Sequence, residues 1–382
     1  DYTTHLSLEE DLGQIGNGNR RGYIVQNSLA VNPRNRRVLG LYNQVLHHRE
    51  SVPDGETMTQ KRERESRESL LWLHGTKPAP ANRKLIDVCD QGADTFEFLE
   101  HEVHSGRRFV IRAAYDRGIV VGHGDVAESQ TGYLRTYARE LPEAGRWTLS
   151  VTSKVEMKSP KKKGKKKKVK RVARKAQMAV SFAPVQIKPP GKKHGKHGNT
   201  PLPMWVVRVW EVNPPEGQER LEWFLLTNEP MLSFEDAYRV VTWYECRWIV
   251  EEYHKGMKTG CKIESPQFTC EERLQPTIAL LSIVTLTLLA MRDASRRSDA
   301  KQRRATEILC EDYVAVLSAW RHGKIKRDWS IHDFYYALAR LGGHQNRKSD
   351  HPPGWQTIWR GWNDLQAMVC GVDAMKELKK CG

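Results

Sequence analysis

The sequence predicts an α/β fold, in which a core of strands and helices is interrupted by a β-rich insertion and followed by an all-α C-terminal region. Three observations predict it. An apolar run at residues 84–89 stops at Asp90; a helix-like stretch, DTFEFLEHEVHS, follows after Gly92; and a second strand, RFVIRA, occupies residues 108–113. Strand, carboxylate at the strand end, helix and strand form the repeating unit of an α/β sheet, whose carboxyl edge is where such folds place chemistry. Residues 118–230 then change to β-type segments at 147–157, 176–187, 203–212 and 221–227, separated by Pro- and Gly-rich breaks. From residue 304 onward the pattern is amphipathic, helical and rich in Trp (Trp320, Trp329, Trp355, Trp359, Trp362).

The remaining elements follow the same signals. Residues 21–32 and 38–48 are rich in aliphatic and β-forming residues, and Asn-Pro-Arg-Asn between them marks a hairpin turn. Charges at helical spacing over residues 60–73 predict a surface helix. Ser233 and Asp236 have the spacing of a capping box, with Asp where Glu or Gln is preferred, so a long helix is expected from Ser233 to about residue 259. A second helix is expected over 271–296. The domain division read from this pattern is 1–117 and 231–298 for the two parts of a catalytic core, 118–230 for the insertion and 299–382 for the C-terminal region.

Composition restricts the partners. The 382 residues carry 62 Lys and Arg against 46 Asp and Glu, a net charge of +16. Residues 154–196 hold 17 basic residues and one acid, Glu156, an excess equal to the entire net charge. The lysine run at 161–175 is either a solvated, mobile loop or a flexible phosphate clamp, and both can hold together. His194 and His197 lack the neighbouring Cys or carboxylate that a metal site needs. Seven cysteines form no Cys-x-x-Cys pair, which argues against a disulfide scaffold or zinc module and fits a reducing cytoplasm. The apolar run at 277–291 is shorter than the ~20 residues of a membrane span and reads as a buried helix. No secretory signal opens the chain, and the abrupt start at Asp1 reads as a truncation within a domain.

On the expected long helix, Tyr244, Arg247, Glu251 and Lys258 fall at about 0°, 300°, 340° and 320° for a turn of ~100° per residue, so one stripe would carry all four. Glu251 there is either an ordinary ion-paired surface residue or a metal-holding acid flanked by phosphate-binding groups.

The stretch YECRWIVEEYHKGMK resembles the Y-x2-R-x3-E-x6-K signature of the insertion-sequence-four family of DDE transposases, the group that includes composite-transposon transposases. VCDQGAD is similar to that family's motif for the second Asp, and DYTTHLS to its first-Asp motif with one residue of departure. KRVARKAQMAV, NPPEGQERLEWFLLTNEP and GWQTIWRGWNDLQAM resemble, in the same order, the family's β-insertion and its C-terminal dimerisation region. The resemblance implies an RNase H-like (retroviral-integrase-like) core in which Asp1, Asp90 and Glu251 hold two Mg2+ or Mn2+ ions within ~10 Å of one another. It implies that Tyr244, Arg247, Lys255 and Lys258 bind DNA phosphates. Trp223 matches an aromatic that stacks on a flipped base, with a core Trp as the other reading. Arg112 matches a DNA-contacting position, with a strand-end salt bridge as the other reading.

The implied activity is cut-and-paste transposition at one site: nicking, hairpin formation by the freed 3′-OH, reopening by water, and strand transfer into target DNA. The implied partners are double-stranded transposon ends, target DNA and a second copy of the chain in a synaptic homodimer, with no membrane. Family members carry an N-terminal DNA-recognition domain before the first Asp. Two alternatives stay open, a decayed or domesticated DNA-binding derivative and an RNase H-like nuclease that does not join strands.

Overall fold

Residues 22–47 are rich in aliphatic and β-forming residues, and in the computed structural model they form the expected hairpin. The structure describes residues 2–3, 12–15, 21–52, 54–78, 84–122, 130–158, 167–192, 195–265, 268, 271–347 and 349–381. Strand β1 (Tyr2–Thr3) pairs with β2 (Gly22–Asn32), which pairs with β3 (Arg37–His47), all antiparallel. The chain divides into two compact units, one of Asp1–Ser51 with Trp248–Gly382 and one of Val52–Arg247.

The first unit joins the hairpin to helices α6 (Trp248–Lys255), α7 (Glu271–Ser295), α8 (Glu311–His322), α9 (Ile331–Leu341) and α10 (Trp355–Cys381). Its core gathers Tyr23 and Val38 from the hairpin with Ile278, Leu289, Phe334, Leu338, Trp355 and Leu365 from the helices. Among the described residues α7 is the one helix long and apolar enough to cross a membrane. It is buried on one face only: Ile278, Ser282, Thr285 and Leu289 are covered, while Leu280 and Ile283 are exposed. Ser282 on the covered face accepts a hydrogen bond from the Gln44 amide of β3 at 2.9 Å and donates to the Ile278 carbonyl of its own helix at 2.7 Å.

The second unit opens with α1 (Met58–Glu63), a 3-10 turn and α2 (Leu71–Thr76), where the sequence predicts one surface helix. Then come β4 (Asp87–Cys89), α3 (Phe96–His104), β5 (Phe109–Arg112), β6 (Gly118–Val121), β7 (Gln130–Tyr133), α4 (Leu134–Glu140), β8 (Gly145–Val151), β9 (Lys154–Lys158), β10 (Lys167–Arg171), β11 (Arg174–Ile187), β12 (Leu202–Val212), β13 (Glu222–Thr227) and α5 (Phe234–Glu245). One mixed sheet runs β4-β5-β13-β12-β11-β6-β7, with β8 also on β11; β4 and β5 are parallel and the other pairs antiparallel. Helices α3 and α4 cover one face over Phe98, Leu99, Phe109, Leu134 and Val206. Helix α5 covers the other over Val110, Val180, Val207, Leu225 and Val240. The chain is thus mixed α/β with a helical C-terminal region.

Three expectations require correction. The lysine run is not all loop: residues 167–171 form β10 against β9, and residues 174–175 open β11. The segment 147–157 is two strands, and β6, β7 and α4 went unread because each is only a few residues long. The helix from Ser233 begins as expected, with the Ser233 hydroxyl accepting from the Asp236 N–H and the Asp236 carboxylate from the Ser233 N–H, but it does not run to 259. It stops at Glu245, turns through Cys246 and Arg247, resumes as α6, and widens to a π turn over Gly256–Gly260.

Helices α9 and α10 approach backbone to backbone at two glycines. A Cβ on Gly361 would collide with the Leu338 carbonyl, and one on Gly342 with that of Thr357. Gly361→Ala is therefore expected to cost about 1–3 kcal/mol, read as a lower urea midpoint at unchanged slope; an unchanged midpoint would show that the helices can separate freely.

Candidate functional site

The parallel ladder between β4 and β5 sets Asp87 opposite Phe109, Val88 opposite Val110 and Cys89 opposite Ile111. Asp90, the next residue, is therefore level with Arg112 at the carboxyl edge of the pair. Side chains alternate along a strand. Val88 and Val110 pack on the α5 face, so Asp90 and Arg112 belong to that face too. Antiparallel β13 sets Leu225 opposite Arg112, which brings Trp223 to the same edge and face. Tyr244, on the last turn of α5, closes the group from above.

Asp90 caps the short 3-10 turn Gln91–Ala93, its Oδ1 accepting the Gly92 N–H at 2.7 Å. A Cβ at Gly92 would crowd both Asp90 and the Trp72 ring, which explains the glycine beside this carboxylate. The second carboxylate oxygen accepts no hydrogen bond among the described residues. Asp94, the other acid of VCDQGAD, is the opposite case: 1 % exposed, it accepts the Ala114 and Tyr115 N–H groups and pairs with Arg117 at 2.7 Å. Of the two, only Asp90 has an oxygen left for a cation.

The Tyr244 hydroxyl is buried. Burial raises its pKa, the Arg247 and Arg112 guanidinium charges oppose that, and the Asp90 carboxylate reinforces it. The phenol thus stays protonated as a donor, within electrostatic reach of Asp90, Arg112 and Arg247. The Arg247 guanidinium lies 5.9 Å from the Tyr244 ring centroid. Arg112 makes no ion pair among the described residues. Trp223 is half-buried against the cluster beneath α5, so its inner face is core while the rest remains at the edge.

The other sequence-selected residues belong to the first unit. Glu251 is exposed on the first turn of α6, where an acid suits the helix dipole. Its charge acts on His254, whose pKa burial lowers; the His254 ring is within 3.1 Å of the Asn27 amide. Lys258 pairs with Glu264 at 3.2 Å, and Lys255 is exposed. The break at Cys246–Arg247 and the π turn mean that the four signature residues are not on one continuous α-helical stripe. The π turn contains two poor helix formers, Gly256 and Gly260, and both pack against Trp355. Asp1 lies outside the described residues, as does His194; His197 packs on the Phe96 ring at 4.9 Å.

Sequence reasoning did not find the buried network beneath Asp90. Glu102 of α3 is fully buried, accepts from Thr76 at 3.2 Å and lies 3.6 Å from Arg107, which pairs with Asp87 at 2.9 Å. It ties α3 to the first residue of β4. Burial, then the neighbouring Asp87 charge, push Glu102 up to about 8 against the opposing pull of Arg107, and burial raises Asp87 as well. Burial likewise drives the Cys89 thiol well above its ordinary range, which makes it an unreactive neighbour.

Asp90 and Glu251, each in its own unit, offer hard carboxylate oxygens, the donor type that suits Mg2+ or Mn2+. Among the described residues no three His, Cys, Asp or Glu side chains form a metal-binding group. A search of known protein families finds none that matches the chain.

The network sets a pH dependence. Between about pH 4.5 and 8 the folded chain keeps a Glu102 proton that the unfolded chain has lost, so stability from this group falls as pH rises through that window. Denaturant midpoints are expected to decline from pH 5 to 8, and Glu102→Gln to flatten the decline; an unaltered slope in the variant would remove Glu102 as its source.

Proposed function

We propose that the chain is a DDE-type DNA transposase of the insertion-sequence-four kind, a metal-dependent nuclease and strand transferase that works on transposon ends in the bacterial cytoplasm, at the nucleoid. The observation that carries the reading is the edge of β4 and β5. Asp90, Arg112 and Arg247, far apart in sequence, all act there on the Tyr244 phenol, beside a carboxylate oxygen that accepts no hydrogen bond among the described residues. Two guanidinium groups and a protonated phenol are what a phosphodiester requires from its binder, and the acid is what a hard cation requires. A parallel β4-α3-β5 unit, an antiparallel hairpin in the other unit and the strands β8 to β12 between β5 and β13 support an RNase H-like core with an insertion.

Asp1, Asp90 and Glu251 are the residues that would hold two divalent ions, which when bound supply Lewis-acid stabilisation to the attacking and leaving oxygens. The chain's own groups do the positioning. Arg112 and Arg247 neutralise phosphate oxygens, and the Tyr244 hydroxyl donates to one. Lys255 and Lys258 add charge along α6 and its π extension. Trp223 offers a ring face on which a displaced base can stack, worth about 1–3 kcal/mol. In-line phosphoryl transfer needs little else from a protein than orientation and charge, so one site can serve nicking, hairpin formation, reopening and strand transfer.

Two further observations support the partners. The hairpin β9–β10 is built from the basic segments 154–158 and 167–171, a composition that a polyanion would complement. Residues 370–380 of α10 are exposed all round and carry Val372, Met375 and Leu378, and a helix end without tertiary cover is marginal alone. That favours a second copy of the chain as its cover.

With a labelled transposon end and Mg2+, the expected products are nicks, hairpins and strand-transfer products. All are lost with EDTA, and all fall at least 1000-fold in Asp90→Asn, roughly 4 kcal/mol of transition-state stabilisation, while end binding persists. Nicks without hairpins would indicate a simple nuclease, and binding without cleavage a decayed derivative. Cleavage that survives Asp90→Asn would refute the assignment of Asp90.

A further inference from the structure

The first unit contains a cavity of about 420 Å³ in whose lining only Lys255 has a role assigned above. Its walls come from α6, the end of α7, α9 and the turn into α10, and include Glu252, Lys255, Arg292, Arg296, Tyr335 and Trp355. We propose that this cavity is a phosphate-binding site, and that in the working protein the phosphate belongs to the backbone of a bound DNA strand. The DNA assignment rests on the function proposed above, whereas the phosphate site rests on the cavity itself.

The lining has an excess of donors. Three cations, a phenol and an indole N–H face a single carboxylate, Glu252. That carboxylate is already engaged by Arg292 at 2.6 Å. Although burial opposes its charge, Arg292 and then Lys255 and the Trp355 indole outweigh burial and hold Glu252 below its ordinary range. Lys255 and Arg296 form no ion pair among the described residues. The Arg292 guanidinium is fixed in place, stacked 4.7 Å from the Trp355 ring centroid and bridged to Asp293 at 3.3 Å. An occupant must therefore be an anion rich in acceptors.

Tyr335 makes the point independently of charge. It is 3 % exposed, and among the described residues its hydroxyl has no hydrogen-bond partner. Burial pushes its pKa up to about 12, so the group is a donor at any working pH. Buried hydroxyls are normally paired, and one left without a partner on a cation-lined wall marks a place where an acceptor docks. A tetrahedral oxyanion supplies enough lone pairs for the phenol and the arginines together. Lys255 lies one turn after Glu251 on α6, a rise of about 6 Å, so a strand running along this helix would pass from one to the other.

The test uses the full chain, a labelled single-stranded oligonucleotide and inorganic phosphate, without divalent metal. Tyr335→Phe removes only the unpartnered hydroxyl and is expected to fold at least as stably as the parent, yet to bind the oligonucleotide about 10-fold more weakly. Arg296→Ala is expected to reduce the salt slope of binding by about 1. Inorganic phosphate is expected to raise the melting temperature of the parent more than that of either variant. If phosphate stabilises the parent selectively but both variants keep full oligonucleotide affinity and slope, the site takes free phosphate and the DNA assignment is overturned. If phosphate acts equally on parent and variants, the phosphate site itself is overturned. A parent that shows the phosphate effect but binds no DNA upholds the cavity and refutes the proposed function instead.

Discussion

Three paired positions between β4 and β5 decide which side chains share the carboxyl edge of the second unit. A parallel ladder has a carboxyl edge, and the residue after each strand emerges there with its side chain directed by the alternation of the pleat. Since Val88 and Val110 are committed to the apolar layer under α5, Asp90 and Arg112 must emerge on that same layer's rim. A slip of one residue would exchange the faces and bury the acid against α3. The register is fixed at its other end by the buried contacts of Asp87, Arg107 and Glu102, which tie β4 to α3. These polar contacts are costly to desolvate, and their use here is to hold position.

That edge was legible in the sequence because its signals are local. An apolar run ending in Asp and Gly, then a helix, then a second strand could be read from residues 84–113, and the structure has β4, α3 and β5 there. The capping pair Ser233 and Asp236 was equally local, and both of its hydrogen bonds form. What could not be read was the end of that helix. Nothing in ECRW breaks a helix by propensity; the interruption coincides with the boundary between the two contact units, a tertiary matter. The π turn had a visible signal in the two glycines of GMKTG, but the Trp355 ring that packs on them comes from a hundred residues later and had none. Likewise, Glu102 looked like one charge among several on an amphipathic helix, and only the strand beneath it shows that it is buried.

The four signature residues therefore keep their sequence spacing but lose the simple helical geometry first inferred from it. Tyr244 and Arg247 belong with Asp90 and Arg112 by electrostatics, while Glu251, Lys255 and Lys258 belong to a separate helical unit. The chemical logic of the reading is carried by the type of each group: hard oxygen donors for cations, and guanidinium, ammonium and phenol donors for phosphate oxygens. Asp94 shows why residue type alone is insufficient, since an identical carboxylate four residues on is consumed entirely by the fold.

The central claim is that acids distant in sequence share common cations. The most direct measurement is Mn2+ binding by the full chain, followed through the paramagnetic signal of the free ion, in the parent and in Asp90→Asn and Glu251→Gln. If the carboxylates share their ions, each single substitution abolishes the same tight binding and the double variant loses nothing further. Independent, additive losses, or tight binding retained in either single variant, would contradict the claim.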